Sequence, residues 1–384
     1  MTKISNFQLY CMLVLLSLPI SFLVVPKQLA LIIGHSGWLA VIASFFGALI
    51  LIYAFVFILR KSTRPFPLML EDHLGMVIGK ILSIIYIFIF LLCTIINLRT
   101  FLDFVASVVL PLVPISVYIG LMVFVSFYAI KTGLEAFSRI SEIIVMLGIP
   151  ATLLILFLSI NEGVDFGGLL PVFYIDPIDF AHGTYISIMC FSSLFAVLTL
   201  GFFSEAREKI SSVLVWVLIT HVVIITLTTA ILLMLLGPFT TGVLTFPTFS
   251  LVRHITVAGF IQGVDFIFIA IWIAGISGAI TIQWFVFCYI IQQTFRLKDY
   301  RFIAAPSSLI IGFYTVMLTP NIVELIMIRQ YVLPVVAGIF FIGFPLLFAL
   351  GLMFKGDPDP SVGTGLRNDP NEVQNTENHE VVNS

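Results

Sequence analysis

The stretch SLPISFLVVPKQL, Ser17 to Leu29, decides how the chain is read. It lies inside the first long apolar run and holds two prolines, Pro19 and Pro26, with Lys27 directly after the second. A proline in a helix interior removes a backbone donor and clashes with the preceding turn, at about 3 kcal/mol. In hydrocarbon every backbone polar group needs a partner, so a helix breaks only where it is buried in protein or lines a cavity. Pro19 therefore has two readings. It is a kink packed against neighbouring helices, or it marks an unwound segment that offers free N–H and C=O groups to a small polar ligand. Pro26 and Lys27 lie near the end of the run, where a lysine snorkels to the interface.

The surrounding composition makes this a membrane question. Of 384 residues, 60% are hydrophobic and only 10% charged, and the mean hydropathy is +1.17. Soluble domains carry roughly 25% charged residues, so this chain cannot cover a water-facing surface and must dissolve in lipid. A net charge of −2 points to no nucleic-acid partner. The sequence offers no glycine-rich phosphate loop, no metal-spaced cluster and no nucleophile–base pair, so no cofactor, metal or enzymatic activity is expected. The six histidines are scattered, and Cys11, Cys93, Cys190 and Cys288 each fall inside an apolar run as packed thiols without a disulfide framework. The first run has no small-residue cleavage site and reads as a retained span.

A span needs about 20 apolar residues. Runs of that kind fall near 7–33, 37–59, 78–108, 114–132, 139–160, 182–203, 210–236, 257–293, 302–320 and 331–354. Fourteen of the 18 lysines and arginines then lie on the side of the amino terminus, with Lys27, Arg99, Arg253 and Arg329 on the other. That excess predicts both termini in the cytoplasm and an even number of spans. Residues 1–354 form one transmembrane domain in this reading. The tail from 355 to 384 is rich in Asp, Asn, Pro and Glu and is expected to be disordered. Pro238 to Val257 links spans seven and eight and is expected to form short helices on the outer face.

Ten spans with a break in the first suggest a transporter-like fold of two inverted repeats of five, although the halves share no clear residue-level similarity. The counterpart of span one is span six. There MCFSSLFAVLTLGFF, Met189 to Phe203, carries Ser192, Ser193 and Gly201, a weaker break signal than Pro19.

Several stretches resemble the B subunit of the spore germinant receptors, the spore permease group of the amino acid/polyamine/organocation superfamily. They are ISNFQL at Ile4–Leu9, FLVVPKQLALIIGHSGW at Phe22–Trp38, LRTFLDFVASVVLPLVP at Leu98–Pro114, FPTFSLVRHITVAGFIQGVDFIFIAIWI at Phe246–Ile273, and QQTFRLKDYR at Gln292–Arg301. The chain departs from many relatives at Ser36-Gly37-Trp38, where they have Asp-Ala-Trp. It also departs at Pro19, Ile20 and Ser21, where they have glycine, and at Asp265, where they often have Glu. The resemblance implies a leucine-transporter-like, all-α polytopic fold, with a ligand between broken helices one and six and helices three and eight. It implies a receptor for a small germinant, often an amino acid and sometimes a sugar or nucleoside. It also implies an A subunit and a C lipoprotein subunit as partners, in the spore inner membrane with both termini towards the spore core. The rival reading is an amino acid–proton or amino acid–sodium symporter, weakened by the lack of an acid clearly at mid-membrane.

The candidate ligand-binding residues are Pro19, Ile20 and Ser21 in span one, Tyr86 and Asn97 in span three, Phe191, Ser192 and Ser193 in span six, and Trp272 and Ser277 in span eight. The serines could instead bond back to their own helix carbonyls, and Trp272 and Ser277 could serve close helix packing. Arg99, Asp103 and Asp265 are candidates for gating or signalling. Arg99 and Asp103 lie four residues apart on one helix face. Arg99 is roughly 28 Å further along span three than Lys80, so the pair is either an interfacial anchor or a gate over the pocket. Asp265 sits where an acid also favours a helix N-terminus.

Overall fold

In the computed structural model the described residues are 3–62, 64–109, 112–160, 163–171, 176–254, 264–318 and 322–354. Among them the chain is helical almost throughout. The helices are α1 (Asn6–Ile32), α2 (Gly37–Lys61), α3 (Phe66–Leu74), α4 (Met76–Phe104), α5 (Ile115–Thr132), α6 (Leu134–Ile160), α7 (Pro177–Phe191) and α8 (Val197–Leu200). They continue with α9 (Ile210–Val243), α10 (Pro247–His254), α11 (Val264–Thr294), α12 (Arg301–Met317), α13 (Ile322–Met327), α14 (Leu333–Ala337) and α15 (Phe344–Phe354). Among the described residues nine helical stretches are long and apolar enough to cross a membrane, the last of them Ile322–Phe354. The 17-residue α12 makes a tenth at the short end of the range that can span. The chain is thus an all-α polytopic membrane protein, as its composition requires. The tail, 355–384, lies outside the described residues.

Large apolar side chains face both ways. Phe46, Phe88, Phe124, Phe157 and Leu309 point outward, as they must where the solvent is hydrocarbon. Serine and threonine hydroxyls inside the helices donate to the carbonyl one turn back, as Ser17 does to Leu13 and Thr94 to Phe90. Helix α1 opens on a capping box in which Ser5 and Gln8 each accept the other's backbone N–H. Helix α9 turns sharply at Gly237, whose φ of 72° suits glycine. This is where the apolar pattern of span seven ends, and α10 then lies in the linking segment.

The break expected in span one is not there. Helix α1 runs unbroken through Pro19 and Pro26. Its weakened turns gain other bonds: Ser21 Oγ donates to the Ser17 carbonyl at 2.6 Å, and Trp272 Nε1 donates to the Pro19 carbonyl at 3.1 Å. The pyrrolidine ring lies against α11 where Gly275 leaves room; a Cβ there would sit 3.2 Å from Pro19 Cγ. Span six is the irregular one. After α7 the chain tightens into 3-10 turns over Ser192–Ala196, recovers one α-helical turn as α8, and tightens again over Gly201–Phe203. Ser193 Oγ donates to the Cys190 carbonyl at 3.1 Å, the local competition that loosens a helix.

The last span is irregular in the opposite sense. It widens into π-helix over Ile328–Val332 and Gly338–Gly343. Pro334 and Pro345 follow these two stretches, and each proline ring clashes with the carbonyl four residues before it. Two tyrosine hydroxyls bond carbonyls in these turns, Tyr86 to Phe340 and Tyr185 to Pro334, both at 2.7 Å.

Candidate functional site

One face of α4 organises the interior. Residues 86, 90, 93, 97, 100 and 103 recur every three or four positions and so stack along one side of the helix. From the lysine- and arginine-rich end outward they meet a plug, a cavity and a vestibule in turn.

The plug is aromatic. Tyr86 stacks on Phe195 at 4.7 Å between ring centres and 10° between planes, and Phe66, Phe90 and Phe341 close around Phe195. Phe195 belongs to the 3-10 segment of span six, so the irregular turn carries the plug. At the basic end the backbone at Ile4 pairs with Phe203 and Glu205 at 2.8 and 3.0 Å, and Ile4 is fully buried.

Above the plug lies a cavity of about 160 Å³, floored by Phe90 and Phe341. It is walled by α1, α4, α7 with the 3-10 turn after it, α11, and the last span. Its polar groups are hydroxyls, amides and one cation. Asn97 Nδ2 donates to Gln283 Oε1 at 2.7 Å, tying α4 to α11 across the cavity edge. Arg329, in the first π-helical stretch, donates from Nη1 to Thr100 Oγ1 at 2.7 Å. Val24, Gln28, Ile186, Arg329 and Gln330 line both this cavity and a second one of about 90 Å³ towards the far end, which also meets Lys27 and Asp103. Arg99 Nε holds both carboxylate oxygens of Asp103 at 3.1 Å, and the two side chains are only 6% and 9% exposed.

Of the residues named from sequence, Ile20, Ser21, Asn97, Ser192 and Ser193 line the cavity. Pro19 and Trp272 do not. Residue 19 lies about 100° around the helix from residue 20, and the Pro19 and Trp272 side chains line a separate apolar space of about 60 Å³ between α1, α6 and α11. Tyr86 belongs to the plug. Phe191 packs on the His221 ring at 4.5 Å. Ser277 donates to the Ile273 carbonyl at 2.6 Å and faces Met122 of α5. Asp103 lines the vestibule, with Arg99 paired to it. Asp265 falls in the first turn of α11, and its side chain lies outside the described residues. Among the described residues no three His, Cys, Asp or Glu side chains gather as metal ligands would.

Sequence reading missed Gln28, Gln283, Arg329 and Gln330. Arg329 was placed beyond the end of a span because a charge normally ends one. The signal that could have found it is the apolar sequence on both sides, LIMI before Arg329 and YVLPVV after Gln330. Because Pro19 faces α11, Pro19→Ala should leave the response to any cavity ligand unchanged, whereas Ser21→Leu should abolish it. Dose–response curves for the two variants check this.

A model of the family described as spore germination protein matches residues 3–323. The putative spore germination protein YfkT of Bacillus subtilis (strain 168) is 23% identical over 287 residues, which is 72% of this chain and 76% of that protein. Spore germination protein KB of the same organism is 25% identical over 333 residues, 84% of this chain and 87% of that protein. With the family match running from before α1 to the start of the last span, the chain belongs to the spore germination protein family.

Proposed function

We propose that this protein is the membrane subunit of a spore germinant receptor, binding a small nutrient, an amino acid in the first instance, and triggering germination. The observation that carries this reading is the cavity: mainly apolar walls set with a few amides, hydroxyls and one arginine, a vestibule on one side and an aromatic plug on the other. A ligand entering from the vestibule would touch α1, α4, span six, α11 and the last span together, so it could favour one arrangement of these helices over another. A ligand of equal affinity for two states shifts nothing. Moving a population from 1:99 to 99:1 takes roughly 5.5 kcal/mol of differential binding. A small nutrient supplies part of that, and partner subunits, an A subunit and a C lipoprotein, would amplify the rest. In this reading the chain sits in the spore inner membrane with its basic end and both termini in the spore core. Residues 1–354 form the membrane domain, built as two inverted repeats, and 355–384 form the tail.

The test fills the cavity. Spores in which the gene encodes Ser193→Phe or Ser21→Phe should lose their nutrient response while the protein accumulates normally. Unchanged germination at wild-type protein levels would sink the proposal. A vestibule open beside a closed plug also suits an outward-facing symporter, the second reading. Uptake of labelled amino acid by the purified protein in liposomes separates the two. The cavity walls contain no aspartate or glutamate to carry a coupling proton, which favours the receptor.

A further inference from the structure

We propose that Arg329 is the specificity determinant of this cavity and that it selects a small ligand bearing a carboxylate. The proposal rests on the reading of the cavity as the ligand site and adds the chemistry of the ligand.

Arg329 lies seven residues inside its span, roughly 10 Å from the span's start. A charge within a span almost always faces the bundle interior or a water-filled cavity and marks a ligand pathway by default. Among the described residues no carboxylate lies within ion-pair distance of Arg329; the nearby acid, Asp103, is held by Arg99. A guanidinium has five N–H donors in a planar fork. One is given to Thr100, and the other four have no protein partner among the described residues. Thr100 is in turn fixed, its hydroxyl donating to the Ile96 carbonyl at 2.8 Å. The fork is therefore held at the boundary of cavity and vestibule with most of its donors open. Carboxylates match such a fork in two parallel hydrogen bonds.

The remaining walls fit the rest of such a ligand. Asn97, Gln283, Ser21 and Ser193 can donate and accept without charge. No acid lines the cavity, so an isolated cation finds no counter-charge there. At about 160 Å³ and continuous with the vestibule, the cavity suits a small ligand. The widened π-helical turn puts Arg329 where a ligand bond also bears on the last span, coupling recognition to a segment poised between two helix forms.

The test uses the full-length chain in nanodiscs and calorimetric titration with alanine, propionate, alaninamide and glycerol, all of similar size. Wild type should bind the carboxylates more tightly than alaninamide or glycerol. Alanine above propionate assigns an amino acid, and equal affinities assign any small carboxylate. Both outcomes support the proposal. Hydrogen bonds to a charged group are strong enough that Arg329→Gln should weaken carboxylate binding by roughly 10- to 100-fold. It should leave alaninamide and glycerol unchanged. Thr100→Val, which frees the guanidinium, should weaken the carboxylates less and in the same selective way. Because the readout is a ratio of ligands on one preparation, partial unfolding does not mimic it. A carboxylate preference that survives Arg329→Gln, or a wild type preferring alaninamide or glycerol, overturns the assignment while keeping the cavity as a binding site. If none of the four binds, the reading of the cavity falls and this proposal with it.

Discussion

Phe195→Ala should destabilise the protein by about 3–5 kcal/mol, the range for emptying a large aromatic site in a packed core. Phe195 is 1% exposed and touches Phe55, Phe66, Tyr86, Phe90 and Phe341 at ring-centre distances between 4.7 and 6.3 Å. These neighbours belong to α2, α3, α4 and the last span, so the side chain joins four elements to span six. The collapse that would heal such a hole is blocked, because the five neighbours are held on four separate elements. Phe195→Leu keeps most of the volume and should lose about 1.5 kcal/mol or less. Thermal unfolding of the two variants in detergent makes the comparison, and similar midpoints would refute the packing argument. The alanine variant has a second expected phenotype. Phe90 and Phe341 floor the cavity from above and rest on Phe195 from below. Emptying that position should let small solutes leak through reconstituted protein, a result that separates a sealed receptor from a working transporter.

How much of this was legible in the sequence follows from what each signal measures. Hydropathy senses the solvent around a helix, and it located every span; most ends agree within a few residues, but span seven runs on to 243 rather than 236 and the last span begins at 322 rather than 331. It could not recognise Arg329 as part of a span, since an arginine lowers the local average whether it ends a helix or faces a cavity. Pro19 illustrates a different gap. A proline reports a missing donor, but the outcome depends on the partners nearby, and those are 253 and 256 residues away at Trp272 and Gly275. A side chain at 275 would press on the ring, its Cβ only 3.2 Å from Pro19 Cγ. In span six the serine pair was legible as a weak disturbance, and it proved to be where the helix tightens. Local hydrogen-bond competition acts within one turn, so the sequence carries it directly. The face of α4 from Tyr86 to Asp103 was also present in the spacing. Tyr86, Cys93, Asn97 and Asp103 could be picked out along it, but the plug and the cavity become visible only when other helices are set against it.

The ion pair of Arg99 and Asp103 carries the other large expected effect. Breaking a buried pair by removing one partner typically costs 3–5 kcal/mol, because the remaining charge is left uncompensated. Arg99→Met strands the Asp103 carboxylate, and the loss should lie near 3 kcal/mol because Asp103 also borders the vestibule, where water reaches it. Asp103→Asn keeps the shape and an acceptor for Arg99, so about 1–3 kcal/mol is expected. The double variant Arg99→Met, Asp103→Leu removes both charges and should recover most of the loss, since replacing a buried pair by apolar groups is often neutral. Thermal melts of the four proteins close the cycle, and simple additivity would show that the two residues do not act as a pair. The cycle also decides between an anchor and a gate. An anchor changes stability and leaves nutrient sensitivity where it was. Asp103 lies about one turn beyond Thr100 on the α4 face that leads to Arg329, so a gate alters access to the cavity. If the double variant melts like wild type yet responds to nutrient at a different concentration, the pair controls entry. If its response is also wild type, the pair only holds the end of α4.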